Sequence, residues 1–328
     1  MSDNQYFLEV KDLVVQYTSG GEKIHAVNGV SFGLERGKTL ALVGETGAGK
    51  TTIAKSILRI LPNPQGKILG GSIVIDGVDL LKISEPEMRK VRGNKVSMIF
   101  QDPMTALNPV IKVGEQIAEV IRKHEKSGDK PAMEKAIEML EMVGIQGTRA
   151  NDYPHQFSGG MKQRVVIAMA LACNPSIILA DEPTTALDVT IQAQILEMVM
   201  ELKEKYNTSM ILITHDLGVV GQVCDTVAVV YGGEILEYGD KKEIFLNPAH
   251  PYTIGLFGAI PDLYTKSRRL ANIEGLPPDP SNLPTGCCFG PRCPHAGEKC
   301  HNEKRPLIQV GPNHYCACPR AAEKEALP

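Results

Sequence analysis

Tryptophan is absent from the 328 residues, and aromatic side chains make up only 5% of them. A protein that grips single strands by stacking bases needs more aromatic platforms than this. Charge argues the same way. Thirty-five lysines and arginines stand against 38 aspartates and glutamates, a formal net charge of −3, which gives no electrostatic reason for nucleic acid to be the main partner. No nucleic acid is expected as a partner. No run reaches 18 consecutive apolar residues, which excludes the usual membrane-spanning helix. The opening stretch MSDNQYFLEVKDL lacks the basic start and apolar core of a secretory signal, and a cytoplasmic location is the expectation that follows. There is no repeat of solenoid length and no low-complexity tract. Cysteine is scarce until late: Cys173 and Cys224 stand alone before six cysteines fall between residues 287 and 318.

What is present is a strand and helix alternation long enough for more than one domain. LEVKDLVVQY (8–17), VNGVSFGLERG (27–37) and TLALVG (39–44) read as strands, and KTTIAKSILRIL (50–61) has helical periodicity. GSIVIDGVDL predicts a hairpin around Asp76-Gly77. From about Glu85 to Met169 the pattern is mostly helical. SIILADEP and SMILITHD then bring back buried strands, each preceded by a helix, and DTVAVVYGGEILEYGD resembles a terminal strand pair. The alternation predicts an α/β core carrying a helical insertion. Pro-rich GLPPDPSNLPTG, after IPDLYTKSRR, places a boundary near residue 260.

The segment GETGAGKTT (44–52) fits G-x-x-x-x-G-K-[ST] between an apolar strand and a helix, the context that supports a phosphate-binding loop. Glycines let the backbone curl until several N–H groups converge on phosphate oxygens. The helix N-terminus adds its dipole, Lys50 its charge, and Thr51 a hydroxyl for Mg²⁺. Gly44, Glu45, Thr46, Gly47, Ala48, Gly49, Lys50, Thr51 and Thr52 are the candidate contacts. IILADEP (177–183) supplies a strand ending in two carboxylates: Asp181, placed to hold Mg²⁺, and Glu182, placed to orient or deprotonate an attacking water.

FSGGMKQR (157–164) lies before that strand and is similar to the signature of ABC-type ATPases, with Ser158, Gly159 and Gly160 intact. Gln101 in MIFQDP resembles the glutamine of the family's Q-loop, and TTALD (184–188), ending in Asp188, its D-loop. His215 in LITHD resembles the switch histidine, and Tyr17 the aromatic that stacks on adenine. Singly these have plainer readings: Tyr17 as packing, His215 as a capping or core histidine, Ser158 as a helix N-cap. Their shared order across residues 8–240 carries the resemblance. It implies a P-loop ABC-type ATPase core over residues 1–260, with an antiparallel β subdomain and a helical subdomain at about 90–165. It also implies ATP as substrate, Mg²⁺ held by Thr51, Gln101 and Asp181, and catalysis by Glu182 and His215. Two such domains, paralogous or identical, would pair head to tail, each presenting its signature helix to the other's nucleotide.

DNA-linked ATPases of the same superfamily fit less well. The interval from Lys50 to Ser158 holds no sustained heptads, and there is one cassette where excision-repair and translation-type proteins have two. VSMIFQDPMTALNPV (96–110) and HPYTIGLFGAIP (250–261) instead resemble the ATPase subunits of oligopeptide/dipeptide importers, with related nickel importers sharing much of the pattern. In such importers the ATPases dock under two membrane-spanning permeases, and an extracytoplasmic binding protein delivers the solute.

The cysteines complete the resemblance as a small C-terminal extension, 261–328. In a reducing compartment such a cluster binds metal more often than it forms disulfides. Tight C-x₂-C pairs are absent. Similar importer ATPases have tails of the form G-C-x-F-x-P-R-C, then C, then H-x₃-C, which Gly286 to Cys293, Cys300 and His314 to Cys318 match. Cys287, Cys293, Cys300 and Cys318 are thereby implied ligands of a [4Fe–4S] cluster, with Zn²⁺ the alternative, and Cys288 and Cys316 are extras. The expected role is a structural or redox-sensing staple remote from ATP chemistry. Cys173 and Cys224 are expected to be packing residues.

Overall fold

The computed structural model describes residues 6–184, 188–259 and 273–322. The D-loop residues 185–187 and the boundary expected near 260 lie outside them. The chain divides into two compact units, the first made of Met1–Leu34, Thr39–Leu81 and Thr214–Pro328, the second of Glu35–Lys38 and Lys82–Ile213.

In the first unit β1 (Leu8–Ser19) lies between β2 (Glu22–Leu34) and β4 (Gly66–Ile75), antiparallel to both. Leu8, Val10, Leu13 and Val15 are buried, a spacing that breaks strict alternation. The extra residue is absorbed at Asp12 (φ 47°), whose N–H donates to Ser31 Oγ at 2.8 Å. β4 turns into β5 (Val78–Asp79) through Asp76 (φ 53°) and Gly77 (φ 79°), the two left-handed residues that a tight hairpin needs and that the Asp-Gly pair predicted.

A second sheet in this unit is built on β3 (Thr39–Val43), whose five residues are all buried. It runs parallel to β9 (Thr226–Tyr231), which pairs antiparallel with β10 (Glu234–Asp240). The strand pair expected to be terminal is not. The C-terminal extension adds β12 (His314–Cys316) to β10 and β11 (Ile308–Gly311) to β12. Buried Glu237 of β10 anchors this addition: its carboxylate accepts from the N–H groups of Ala249 and His250 and meets His314 Nε2 at 2.6 Å. Helices α1 (Lys50–Ile57), α8 (Leu217–Val223), α9 (Lys241–Leu246), α10 (Pro251–Gly258), α11 (Glu298–Asn302) and α12 (Pro319–Ala322) complete the unit. α1 stops short of the helix expected to residue 61, because Arg59 turns left-handed at φ 52°.

The second unit carries three parallel strands, β6 (Val96–Ile99), β7 (Ile177–Asp181) and β8 (Ser209–Ile213), with Met98 opposite Leu179 and Leu179 opposite Ile211. Burial of every residue of β7 and β8 explains their apolar runs, whereas β6 carries half-buried Ser97. α2 (Glu85–Val91) opens on a reciprocal cap between Ser84 and Glu87, and α3 (Pro103–Ala106), α4 (Val113–Glu125), α5 (Asp129–Met142), α6 (Gly159–Leu171) and α7 (Val189–Tyr206) follow. β6 falls inside the stretch expected to be helical. Four residues are too few to show a period of their own.

Candidate nucleotide-binding site

In the first unit the loop between β3 and α1 is a curl that only its glycines permit. Gly44 stands at φ 150°, and a Cβ there would lie 2.0 Å from the carbonyl oxygen of Val230. Gly49 (φ 100°) is the N-cap of α1, and a Cβ would lie 2.4 Å from the carbonyl oxygen of Ala26. Thr46 and Gly47 are exposed at the crest, Ala48 is buried, and Thr51 and Thr52 are half-buried on the first helical turn. Lys50, 7% exposed, donates to the carbonyl oxygens of Gly44 (2.7 Å) and Glu45 (2.9 Å), which places its charge against the loop. Tyr17 is half-buried near the end of β1, with its hydroxyl donating to Thr52 Oγ1 at 3.4 Å. His215 is exposed just before α8. The cap of that helix is Asp216, which accepts from the N–H groups of Gly218 and Val219, so the histidine is neither cap nor core.

In the second unit Asp181 ends β7 almost wholly buried, and Glu182 follows in a left-handed conformation (φ 44°), its N–H bonded to Ile213 O. That bend holds the Glu182 carboxylate for Gln101, whose Nε2 donates to Glu182 Oε2 at 2.7 Å. Two residues 81 positions apart are thus brought together. Ser158 is exposed and caps α6, accepting from Met161 N–H at 3.4 Å, with Gly159 and Gly160 in the first turn. The plain N-cap reading of Ser158 holds, and the exposed helix start also remains able to meet an anion. Asp188 caps α7 by accepting from Ile191 N–H at 2.9 Å.

The cysteine-rich extension is not remote from the phosphate loop. Arg292 donates to the Glu45 carboxylate at 2.8 Å, and the Glu45 N–H donates to Tyr252 Oη at 2.9 Å. Neither contact was anticipated, although both residues stand inside motifs already singled out, HPYT and G-C-x-F-x-P-R-C. Among the cysteines, Cys287 N–H bonds to Cys300 O at 2.8 Å, and Gly286 packs so closely that a Cβ would lie 2.2 Å from that same oxygen. Burial raises the thiol pKa of Cys287 to about 11 and lifts those of Cys293 and Cys318. Cys287 also feels Cys300 and Cys293, Cys293 feels Cys318 and Cys300, and Cys318 feels Cys300, so the four share one neighbourhood. Among the described residues, no group of three or more His, Cys, Asp or Glu side chains is arranged to hold a metal ion. Cys288 and Cys316 are buried, Cys288 donating to Tyr231 O at 3.4 Å, and Cys173 and Cys224 are buried as expected. His314 of the tail motif belongs to Glu237 and not to the thiols.

The pattern described as "ABC transporter" matches residues 27–185. Among solved structures, the ATP-binding cassette MJ0796, a dimer in a post-hydrolysis state bound to ADP and Pi, superimposes with a TM-score of 0.64 at 29% identity, over 71% of this chain and 98% of that one. The fold and site thus define an ABC-type ATPase cassette. The pattern "Oligopeptide/dipeptide transporter, C-terminal region" matches residues 236–300. The oligopeptide transport ATP-binding protein OppD of Bacillus subtilis is 51% identical over 311 residues, 94% of this chain and 87% of that protein. The dipeptide transport ATP-binding protein DppD of the same organism is 52% identical over 290 residues, 88% of this chain and 87% of that protein. The chain belongs to the family of ABC transporter ATP-binding proteins, in its oligopeptide/dipeptide branch. Among the described residues, no helix is long and apolar enough to cross a membrane.

Proposed function

We propose that the chain is the ATP-hydrolysing subunit that powers import of di- and oligopeptides through a membrane ABC transporter. The observation that carries this reading is the near-50% identity to two peptide-transport ATPases over most of both chains, C-terminal region included. Residues 44–52 wrap the phosphates with backbone N–H groups, Lys50 supplies charge to the β- and γ-phosphates, and Tyr17 stacks on adenine. Glu182 polarises the attacking water, oriented by its bond to Gln101, and His215 senses the γ-phosphate. By resemblance to the family, Thr51 of the first unit and Gln101 and Asp181 of the second would hold Mg²⁺, and each offers the kind of oxygen that this ion takes. Gln101 fits this because its nitrogen is engaged with Glu182 and leaves the oxygen available. The ion supplies neutralisation of phosphate charge.

Ser158, Gly159, Gly160 and Asp188 face the nucleotide of a second ATPase subunit, paralogue or self, in a head-to-tail dimer. The pair sits at the cytoplasmic face of the membrane under two permeases, fed by an extracytoplasmic binding protein. In the second unit, a groove of about 760 Å³ lined by Arg92, Phe100, Asn108, Ile111 and Met169 suits a short permease helix. Phe100, Met104 and Val110 add exposed apolar surface around it, 40%, 61% and 77% exposed. We assign Cys287, Cys293, Cys300 and Cys318 to a [4Fe–4S] cluster. The shared neighbourhood of the four thiols supports it, and Zn²⁺ is the alternative.

Assembled with its permeases and binding protein, Glu182→Gln should bind ATP but lose hydrolysis and peptide uptake together. Hydrolysis at the unmodified rate would overturn the assignment of the base, and uptake of nickel in place of peptide would overturn the cargo. Anaerobically purified protein should be brown and hold about four irons per chain. Colourless protein with free thiols would remove the cluster.

A further inference from the structure

Glu45 is held from three directions. Its N–H donates to Tyr252 Oη, its carbonyl accepts from Lys50 Nζ, and its carboxylate accepts from Arg292, at 2.9, 2.9 and 2.8 Å. Arg292 comes from the cysteine-rich extension, 247 positions along the chain. Its side chain is only 7% exposed, and all three nitrogens are engaged. Nε donates to Glu274 O at 2.9 Å, Nη2 to Ile273 O at 3.1 Å, and Nη1 to both Glu45 Oε2 and Tyr231 Oη, the latter at 3.1 Å. A planar fork pinned at every arm has little freedom to move, unlike an exposed lysine.

The seat beneath it is shared with the loop. Tyr231 of β9 packs 4.5 Å from Tyr252 of α10, and Phe289 of the extension packs 5.4 Å and 5.3 Å from these two rings. All three are buried. The aromatic cluster that seats Arg292 therefore also aims the Tyr252 hydroxyl at the Glu45 N–H. Both grips on the start of the loop depend on the extension being in place.

We propose that Arg292 is a positioning residue for the phosphate loop, acting through Glu45, so that affinity for ATP depends on the folded cysteine-rich extension. This rests on the reading of residues 44–52 as the ATP loop. A loop whose start is fixed presents its N–H groups already converged. A loop that samples other conformations binds more weakly, in proportion to the fraction that is competent.

The test is calorimetric titration of the full-length protein with ATP, for Arg292→Ala, Arg292→Lys, Glu45→Gln and the Arg292→Ala/Glu45→Gln pair, with thermal unfolding alongside. Arg292→Ala should raise Kd about tenfold, with Arg292→Lys recovering part of the loss because an ammonium cannot make the fork. The pair should bind no more weakly than Arg292→Ala alone, since both changes break one contact. Additive effects, or an unchanged Kd in folded Arg292→Ala, would overturn the proposal. Should Arg292→Ala fail to fold, Glu45→Gln decides: it must weaken binding, and wild-type affinity would overturn the proposal. Unmodified protein that does not bind ATP would instead overturn the loop reading itself.

Discussion

Removing one oxygen, by Tyr252→Phe, isolates a single hydrogen bond at the start of the phosphate loop. Tyr252 is fully buried, and its ring contacts with Tyr231 and Phe289, at 4.5 and 5.3 Å, survive the change. What is lost is the acceptor for the Glu45 N–H at 2.9 Å. Such a bond contributes about 0.5–1.5 kcal/mol, and a donor left dry costs about 1–3 kcal/mol. Glu45 is half-buried, so water reaches part of the site and the lower range applies. The expectation is a loss of about 1 kcal/mol, which lowers Tm by about 2–4 °C for a unit of this size. Urea denaturation followed by circular dichroism measures it, and the m-value should not change because no surface is newly exposed. A variant as stable as the unmodified protein would refute the claim that this hydroxyl anchors the loop.

Gly49→Ala should be severe, costing about 2–4 kcal/mol, because the Cβ meets the Ala26 carbonyl oxygen at 2.4 Å in a left-handed backbone. Gly47→Ala meets nothing within 4 Å and should cost about 1–2 kcal/mol from its positive φ alone, so equal losses in chemical denaturation would contradict the steric account. Lys50→Ala should weaken ATP binding at least tenfold in the same titration, since a charge-assisted contact is removed. Retained affinity would count against its role. Burial pushes the His250 imidazole down to about 4 against the opposing pull of Glu237. Neutral His250 therefore stabilises the fold fully above the unfolded value of about 6.5, and that stability is lost as pH falls from there towards 4. His250→Asn, which keeps an acceptor for the Tyr252 N–H, should flatten the unfolding profile across that window. An equally steep profile would rule out His250 as its source.

Local chemistry was legible in the sequence. Asp76-Gly77 predicted a hairpin because both turn residues must be left-handed. Gly44 and Gly49 flanked a loop that needs glycine, and apolar runs such as the IILA of β7 read as buried strands. Each of these depends on neighbours within a few residues, which a linear pattern can carry. Only the tertiary structure decided that Gln101 bonds Glu182, that β11 and β12 extend the sheet edge at β10, and that His314 meets Glu237. It also decided the outcome for the tail. With few large apolar side chains, the extension must dock to be stable, and it docks on Tyr231 and Tyr252, beside the phosphate loop. Partners 247 positions apart leave no period or spacing in the chain, because a contact between distant segments is set by how buried surfaces pack and not by the order of residues along either one.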